Sequence, residues 1–251
     1  MAAGSFIDKF SDGSGRYRRA RPTYPPELIA RLAGLAPGRK LAWDSGTGNG
    51  QAAVALADHF EAVVATDASA RQISEAVQAD RVSYRVEAAE RVSLPDGSVD
   101  LAVAAQAMHW FDLDRFYAQV RRVLRPGGLL AAIGYAWLYI DARLDAAIEE
   151  TLLEPMRSLW SPRNSLLWDG YRGIPFPGTE IRIGPSAIHL HWSLAELMDY
   201  VLTWSATRSW IAQAGEEPLI AARAKLEAVW GHPEQRRHVV MPVQARVARI
   251  G

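Results

Sequence analysis

Cysteine is absent from the 251-residue sequence. Its absence excludes disulfide bonds, thiolate zinc sites and cysteine nucleophiles. The chain also lacks an excess of charge of either sign, because 28 basic residues balance 28 acidic ones. Proteins that bind nucleic acid or anionic membrane surfaces are usually basic, so we expect neither kind of partner.

Long apolar segments are missing as well. A helix that spans a bilayer needs about 20 apolar residues, and no segment approaches that length. Asp8 and Lys9 interrupt the first ten residues, so no secretory leader is predicted and we expect a cytoplasmic protein. The six histidines show no ligand spacing, so no metal site is predicted.

The pattern of strands and helices is regular from residue 40 to residue 135. Short apolar runs alternate with amphipathic segments, in the order β-α-β-α-β-loop-β-α-β. This alternation predicts a parallel sheet that is covered by helices on both faces. The continuous apolar run Val99 to Ala105 is typical of a strand buried on both sides, and the alternation from Val239 to Val247 predicts a final strand.

Capping patterns mark two helix starts. Ser69 with Gln72, and Ser193 with Glu196, each have the spacing of a capping box. The first pair predicts a helix over residues 69–78.

Two further patterns predict breaks in regular structure. Arg125-Pro126-Gly127-Gly128 predicts a turn before the strand at Leu129 to Ile133. Pro242 lies within the final predicted strand, and because proline cannot donate to a ladder, it predicts a bulge or an edge position.

A glycine-rich loop carries the strongest chemical signal. The segment Asp44-Ser45-Gly46-Thr47-Gly48-Asn49-Gly50 follows a predicted strand and opens a helix, where open α/β sheets bind nucleotides. A dinucleotide site needs G-x-G-x-x-G, but Gln51 occupies the place of the third glycine. Asp67 ends the second predicted strand, where a carboxylate can accept hydrogen bonds from two ribose hydroxyls. Together these features favour S-adenosylmethionine, with a dinucleotide or no ligand as the alternatives.

Further segments follow in a recognisable order. They are Glu87 to Glu90, Leu94 to Asp100, Gln106 to Phe111 and Leu124 to Gly128. With the glycine-rich loop, they make residues 40–135 resemble the class I S-adenosylmethionine-dependent methyltransferases. The resemblance implies an α/β fold: a Rossmann-like, seven-stranded, mostly parallel sheet with helices on both faces and a small cap of helices and loops.

A finer resemblance covers nearly the whole chain. The arm Tyr17 to Pro25, the pair His109-Trp110 and the segment Thr203 to Thr207 are similar to a subgroup that includes trans-aconitate methyltransferase-like proteins. The resemblance implies a single domain: an N-terminal arm over the site (1–24), a cofactor-binding core (25–135), a lid (136–180), and C-terminal strands and helices (181–251).

The resemblance and the strand-end geometry together assign the cofactor-binding residues. In this assignment Asp44 holds the ammonium, Asp67 binds the ribose, and Tyr17 covers the sulfonium. Arg21 either pairs with the cofactor carboxylate or is a surface arginine. Many relatives have Asp where this chain has Ala88, so the adenine contact is expected from Glu90 or from backbone groups. The full set is Tyr17, Arg21, Asp44, Gly46, Thr47, Gly48, Gly50, Asp67, Ala68, Ala89, Glu90 and Gln106.

The substrate-binding candidates are His109, Trp110, Trp137 and Trp168. His109 has three possible roles: a general base, a hydrogen-bond donor to a substrate carboxylate, or a structural residue, and the last or a positioning role is favoured. The tryptophans are either packing residues or the wall of a cap for a flat substrate. Arg157, Arg163 and Arg172 either bind a carboxylate or are solvated.

We therefore expect a methyltransferase that acts on a small molecule, as a monomer or a homodimer. O-methylation of a carboxylic acid or a hydroxyl-bearing metabolite is the first hypothesis. N- or C-methylation of a small aromatic or heterocyclic metabolite is the alternative. A nicotinamide-dependent oxidoreductase and a non-catalytic binding module are weaker alternatives.

Overall fold

A computed structural model of the protein describes residues 20–251. Tyr17, for which a role over the sulfonium is predicted, lies outside the described residues. Within the described part of the chain, no helix is both long enough and apolar enough to cross a membrane.

The sheet contains eight strands in the described chain. Their spatial order is β3-β2-β1-β4-β5-β8-β6, and β7 also pairs with β8. The strands are β1 (Leu41–Ser45), β2 (Ala62–Asp67), β3 (Val82–Val86), β4 (Val99–Ala105), β5 (Leu124–Tyr135), β6 (Thr179–Ile181), β7 (Ser186–Trp192) and β8 (Arg237–Arg249).

Strands β1 to β5 pair in parallel, whereas β6, β7 and β8 run antiparallel to their partners. The predicted α/β fold class is therefore confirmed. The expected number of seven strands is wrong, because three residues of β6 pair with the end of β8 beyond β7. Strand order reverses between β1 and β4, so their carboxyl ends leave a crevice at this point.

Helices cover both faces of the sheet. They are α1 (Pro26–Leu35), α2 (Gln51–Ala57), α3 (Ala70–Ser74), α4 (Leu113–Val123), α5 (Ala142–Ile148), α6 (Glu154–Met156), α7 (Asn164–Trp168), α8 (Leu194–Leu202), α9 (Ser205–Ala214) and α10 (Glu217–Trp230). A π-helical turn (Glu149–Leu153) joins α5 to α6. One 3-10 turn (Met108–Trp110) lies between β4 and α4, and another (Arg157–Leu159) follows α6. Two buried apolar clusters fill the space between the sheet and the helices.

The capping-box predictions have different outcomes. Ser193 and Glu196 form the predicted box at the start of α8. Ser69 caps α3 by accepting a hydrogen bond from the Gln72 backbone N–H, but the Ser69 N–H donates to Asp67. The predicted helix over residues 69–78 is too long, because α3 ends at Ser74.

The predicted turn at Arg125 to Gly128 lies inside a strand. Val99 pairs with Leu124 and Leu101 pairs with Leu129, so the four residues between bulge out of β5. Gly127 has a φ of +76°, which glycine adopts without the steric cost of a Cβ.

Pro242 lies where the pairing of β8 is interrupted on one side. Its register partner is Ala187 of β7, pairing with β5 reaches only to Val243, and Tyr139, which follows β5, bridges to Val240. The predicted edge position therefore holds only for this gap, because β8 has neighbours on both sides.

Candidate functional site

A cavity of about 1120 Å³ opens at the carboxyl ends of β1, β2 and β4. Its walls include the glycine-rich loop, the ends of β2 and β3, and the segment after β4. The predicted residues that line it are Arg21, Gly46, Thr47, Gly48, Asp67, Ala68, Ala89, Glu90, Gln106 and Trp110. Most of the predicted cofactor residues therefore meet in one place.

The three glycines of the loop have different surroundings, although all have positive φ. A Cβ on Gly46 would lie 2.5 Å from the Ala107 Cβ, and one on Gly50 would overlap the Tyr84 hydroxyl. A Cβ on Gly48 would have no atom closer than 3.9 Å. Gly46 and Gly50 are thus required for packing of the loop, and Gly48 is the glycine with open space beside it.

Asp67 lies at the end of β2 and lines the cavity. One carboxylate oxygen accepts a hydrogen bond from the Gly48 N–H at 2.9 Å, and the other accepts from the Ser69 N–H at 2.9 Å. These bonds fix the carboxylate against the glycine-rich loop. Each oxygen has a second lone pair, so the group still has acceptor capacity toward a ligand.

Asp44 is fully buried beneath the loop. Its Oδ2 accepts a hydrogen bond from the Thr47 hydroxyl at 2.6 Å, while its Oδ1 has no hydrogen-bond partner among the described residues. Burial raises the pKa of this carboxyl to about 7. Asp44 itself does not line the cavity, but Thr47, whose hydroxyl it holds, does. A cationic group such as the ammonium of the predicted cofactor can therefore reach Thr47 and be attracted by the carboxylate beneath it.

Glu90 also lines the cavity, but it has a structural partner. Its Oε1 accepts a hydrogen bond from the Asp112 N–H at 2.8 Å, and Asp112 caps α4. Glu90 therefore holds the start of α4 against the segment that follows β3. Its predicted contact with adenine stays a prediction.

Gln106 directly follows β4 and has a φ of +56°, a conformation that is uncommon for a residue with a side chain. Its backbone N–H donates to the Ile133 carbonyl at 2.9 Å, and its side-chain amide donates to the Tyr135 carbonyl at 2.8 Å. These two bonds direct the residue toward the cavity from the middle of the sheet.

Arg21 links the N-terminal segment to the end of α8. Its guanidinium donates a hydrogen bond to the Thr203 hydroxyl at 3.0 Å and lies over the Tyr200 ring, 5.5 Å from its centroid. Its backbone carbonyl accepts a hydrogen bond from the Gln51 side chain at 3.0 Å. The residue is therefore held at the cavity from two sides.

His109 is buried, with 4% of its surface exposed. Its Nδ1 lies 3.1 Å from the Tyr171 hydroxyl. Burial lowers the pKa of the imidazole to about 3, with smaller effects from Arg163 and Arg21. The ring is therefore uncharged at neutral pH, which agrees with the favoured structural or positioning role.

A second, smaller cavity of about 70 Å³ lies beside the first. The predicted substrate residues His109, Trp110, Trp137 and Trp168 all line it. Trp160 and Trp204 complete an indole cluster, in which the Trp137 and Trp168 ring centroids are 5.1 Å apart and those of Trp160 and Trp204 are 5.6 Å apart. Four indoles of the later half of the chain thus form one wall, whereas Trp192 and Trp210 pack in or against the core.

The three candidate arginines of the lid differ in their surroundings. Arg163 lines the larger cavity and donates to the Trp110 carbonyl at 3.1 Å. Arg157 pairs with Glu149 and Glu154, and the Arg172 Nε donates to the Asp169 carbonyl at 2.8 Å.

Several residues at the site were not found from the sequence. Tyr135 and Asn164 line the cavities, and Thr203 and Tyr171 hold Arg21 and His109. Tyr171 is 62 residues from His109, and no local pattern marks such a pair.

The chain is similar to known proteins over most of its length. The family described as "Methyltransferase domain" matches residues 43–132. A Dictyostelium discoideum protein described as a methyltransferase is 34% identical over 218 residues, which cover 85% of this chain and 83% of that protein. A Mycobacterium tuberculosis protein, also described as a methyltransferase, is 39% identical over 137 residues, which cover 54% of each chain.

Solved structures agree with this similarity. A structure from Anaeromyxobacter dehalogenans, described as a type II methyltransferase, superposes with a TM-score of 0.86 at 41% identity, over 91% of this chain and 97% of that one. The extent and identity of these matches decide between the two cofactor classes that the glycine-rich loop allowed. The chain belongs to the class I S-adenosylmethionine-dependent methyltransferases.

Proposed function

We propose that the protein transfers the methyl group of S-adenosylmethionine to a carboxylate oxygen of a small organic acid. The observation that carries this proposal is the charge on the acceptor side of the larger cavity. Arg163 and Arg21 both line it. We place Arg21, for which the sequence predicted the cofactor carboxylate, on the acceptor side, because it also lines the smaller cavity together with His109. Guanidinium groups match the geometry of a carboxylate.

The cofactor supplies a methyl group that is already activated by a positively charged sulfur. Residues 46–48 line the cavity on the side where we place the cofactor, and Asp67 offers acceptors for its ribose hydroxyls. We assign the ammonium to Asp44, together with the Thr47 hydroxyl that this carboxylate orients. The resemblance adds Tyr17, Ala68, Ala89 and Gln106 to this set.

Charged residues of both signs line the larger cavity. Asp67 at the end of β2 and Glu87 and Glu90 after β3 lie on the cofactor side. The further charged residues of the lining are Arg91, Asp112 and Arg115. Arg163 lies on the other side, against the segment that follows β4, and forms no ion pair with another residue of the described chain. The Arg163 guanidinium can therefore attract an anionic acceptor to the segment that follows β4.

The uncharged state of His109 also supports a carboxylate acceptor. A phenol or an amine must lose a proton to be methylated, and a base works best when its pKa is near the working pH. The pKa of His109 is about 3, and its Nδ1 already contacts Tyr171. A carboxylate is anionic at neutral pH and needs no base.

The protein's contribution is then alignment and exclusion of water. Holding two reactants in line can supply about 7–11 kcal/mol of the activation barrier. We propose that residues 136–180 form the lid, because they bring Arg163 and three indoles to the two cavities.

Methyl transfer to matched small acceptors tests the proposal. The protein is incubated with S-adenosylmethionine and with aromatic and aliphatic carboxylic acids, phenols or amines of similar size, and the products are separated and weighed by mass spectrometry. We expect methyl esters from acids and no product from amines. Methylated phenols or amines, with no ester, would contradict the proposal.

An arginine pair provides the matched control. Arg163→Gln removes a guanidinium that lines the cavity, and loss of a charged hydrogen bond of about 1.5–3 kcal/mol raises KM for the acid roughly 10- to 100-fold. Arg172→Gln removes an exposed guanidinium of the same lid, which donates to a neighbouring carbonyl. We expect its KM to be unchanged, and equal effects of both variants would count against an acid-binding role for Arg163.

A further inference from the structure

We propose that the smaller, indole-walled cavity binds the part of the acceptor farthest from its carboxylate: the outer edge of a flat ring that carries one uncharged hydrogen-bond donor, such as a hydroxyl. This inference rests on the proposed function, because it extends the acceptor from the carboxylate into a second subsite. It assigns specificity to Asn164 and to the tryptophan wall.

The walls of the smaller cavity are aromatic. The Trp160 ring centroid lies 5.8 Å from that of Trp168 and 5.6 Å from that of Trp204, and Trp137 packs on Trp168. Indole faces bury large apolar areas and pack well against flat groups. A flat, unsaturated group therefore suits these walls better than a hydrated or branched one.

Asn164 supplies the polar group. Its side chain lines the smaller cavity, is 8% exposed, and carries an Oδ1 with no hydrogen-bond partner among the described residues. A buried acceptor without a partner costs about 1–3 kcal/mol, so an occupant that donates to it is favoured over one that does not. A ligand that donates a hydrogen bond at this position is therefore favoured.

The charge of the donor follows from the neighbouring groups. Arg21 lines the same cavity, and its positive charge opposes an ammonium group on the ligand. A second carboxylate would place an oxygen among indole rings and beside the Asn164 oxygen, which is also an acceptor, even where Arg21 pairs with its other oxygen. A neutral hydroxyl avoids both costs.

The size and position of the cavity limit what enters it. Its volume of about 70 Å³ is roughly half that of a cavity known to hold benzene. It therefore takes the edge of a ring and one substituent, while the rest of the ring lies in the larger cavity. Arg21, Gln106, Trp110 and Tyr135 line both cavities, so a single ligand can extend from one into the other.

Equilibrium binding of two matched probes tests this subsite. Benzoate and 4-hydroxybenzoate are titrated calorimetrically into the full-length protein saturated with S-adenosylhomocysteine. A net hydrogen bond of about 0.5–1.5 kcal/mol predicts that 4-hydroxybenzoate binds roughly 2- to 12-fold more tightly. In Asn164→Leu the two dissociation constants become equal, and the affinities for benzoate and for S-adenosylhomocysteine stay within about twofold of wild type.

Two tryptophan variants test the wall. Trp168→Leu removes an indole that lines the smaller cavity, and we expect both acids to bind more weakly while the ratio of their dissociation constants is kept. Trp210→Leu changes a partly buried indole of α9 that packs against the core, and we expect both affinities to be unchanged.

The possible failures are distinguishable. If both acids bind and are methylated but wild type shows no preference, or if Asn164→Leu keeps the preference, the subsite is wrong and the proposed function stands. If neither acid binds to the protein saturated with S-adenosylhomocysteine, the proposed subsite is wrong. If the wider set of acids also yields no methyl ester, the proposed function is wrong too.

Discussion

The side-chain amide of Gln51 donates a hydrogen bond to the backbone carbonyl of Arg21 at 3.0 Å. Gln51 is the first residue of α2, at the position where a dinucleotide fingerprint has glycine. The Arg21 side chain in turn bonds to Thr203 at the end of α8. The helix that follows the glycine-rich loop thus fixes a residue that lines both cavities.

Replacement of Gln51 tests this connection. In Gln51→Ala the loss of one partly buried hydrogen bond costs about 0.5–1.5 kcal/mol. For a domain of this size that corresponds to a fall in Tm of roughly 1–6 °C by calorimetry. Gln78→Ala is the control, because Gln78 is exposed and bonds only within its own loop. Equal changes in Tm for both variants would show that the bond to Arg21 contributes nothing.

Two glycines of the same loop are predicted to differ in their tolerance of a methyl group. Gly50→Ala combines a φ of +92° with overlap on the Tyr84 hydroxyl, which donates to the Val77 carbonyl. Gly48→Ala carries mainly the backbone cost of a positive φ, about 1–2 kcal/mol. We expect urea denaturation to show a free energy of unfolding lowered by about 2–4 kcal/mol in the first variant and by less in the second. The reverse order would contradict the packing of this loop.

Asp44 gives stability a pH dependence of known sign. Its pKa is raised from an ordinary value of 3.8 to about 7, so the folded protein holds this proton more tightly than the unfolded chain does. The stabilisation is complete below pH 3.8 and is lost as pH rises through 7. We therefore expect Asp44→Asn to be more stable relative to wild type at pH 8 than at pH 5.

Urea denaturation of both proteins without cofactor measures this effect. His109 changes stability in the opposite direction, because its lowered pKa weakens the folded state as pH falls from 6.5 toward 3. His109 is present in both proteins, so the difference between their free energies of unfolding reports on Asp44 alone. A difference that is independent of pH would mean that the carboxyl titrates normally.

His109 is predicted to position other groups without acting as a base. In His109→Ala we expect kcat for a carboxylic acid to fall by less than about tenfold, whereas loss of a general base costs about 10²- to 10⁴-fold. His109→Asn, which keeps a polar group for the Tyr171 hydroxyl, is expected to recover most of any loss. A large fall in kcat in both variants, together with a changed pH profile, would identify a base.

Elements with a strong local pattern were predictable from the sequence. The apolar run of β4 and the capping box of α8 lie where their residues indicated, and the strand–glycine–helix order located the larger cavity. These features depend on neighbours within a few residues, which a sequence displays directly.

Features that depend on distant partners were not predictable. The Ser69 N–H, which a capping box would bond to the Gln72 side chain, donates to Asp67 instead. Helix α3 also ends after only five residues. His109 meets Tyr171 through packing of the lid, and Asn164 reaches the indole cluster in the same way. Such contacts follow from how the lid lies on the sheet, which no periodicity specifies.

Ligand-induced thermal stabilisation, with wild type and Asp67→Ala side by side, tests the cofactor site most directly. A ligand at 100 times its Kd adds about 2.7 kcal/mol, or roughly 5–11 °C in Tm for a domain of this size. We expect S-adenosylmethionine and S-adenosylhomocysteine to give this shift in wild type and a much smaller one in Asp67→Ala, while Asp80→Ala, an exposed control, behaves as wild type. NADH is expected to give no shift. A shift with NADH alone, or an unchanged shift in Asp67→Ala, would contradict the site described above.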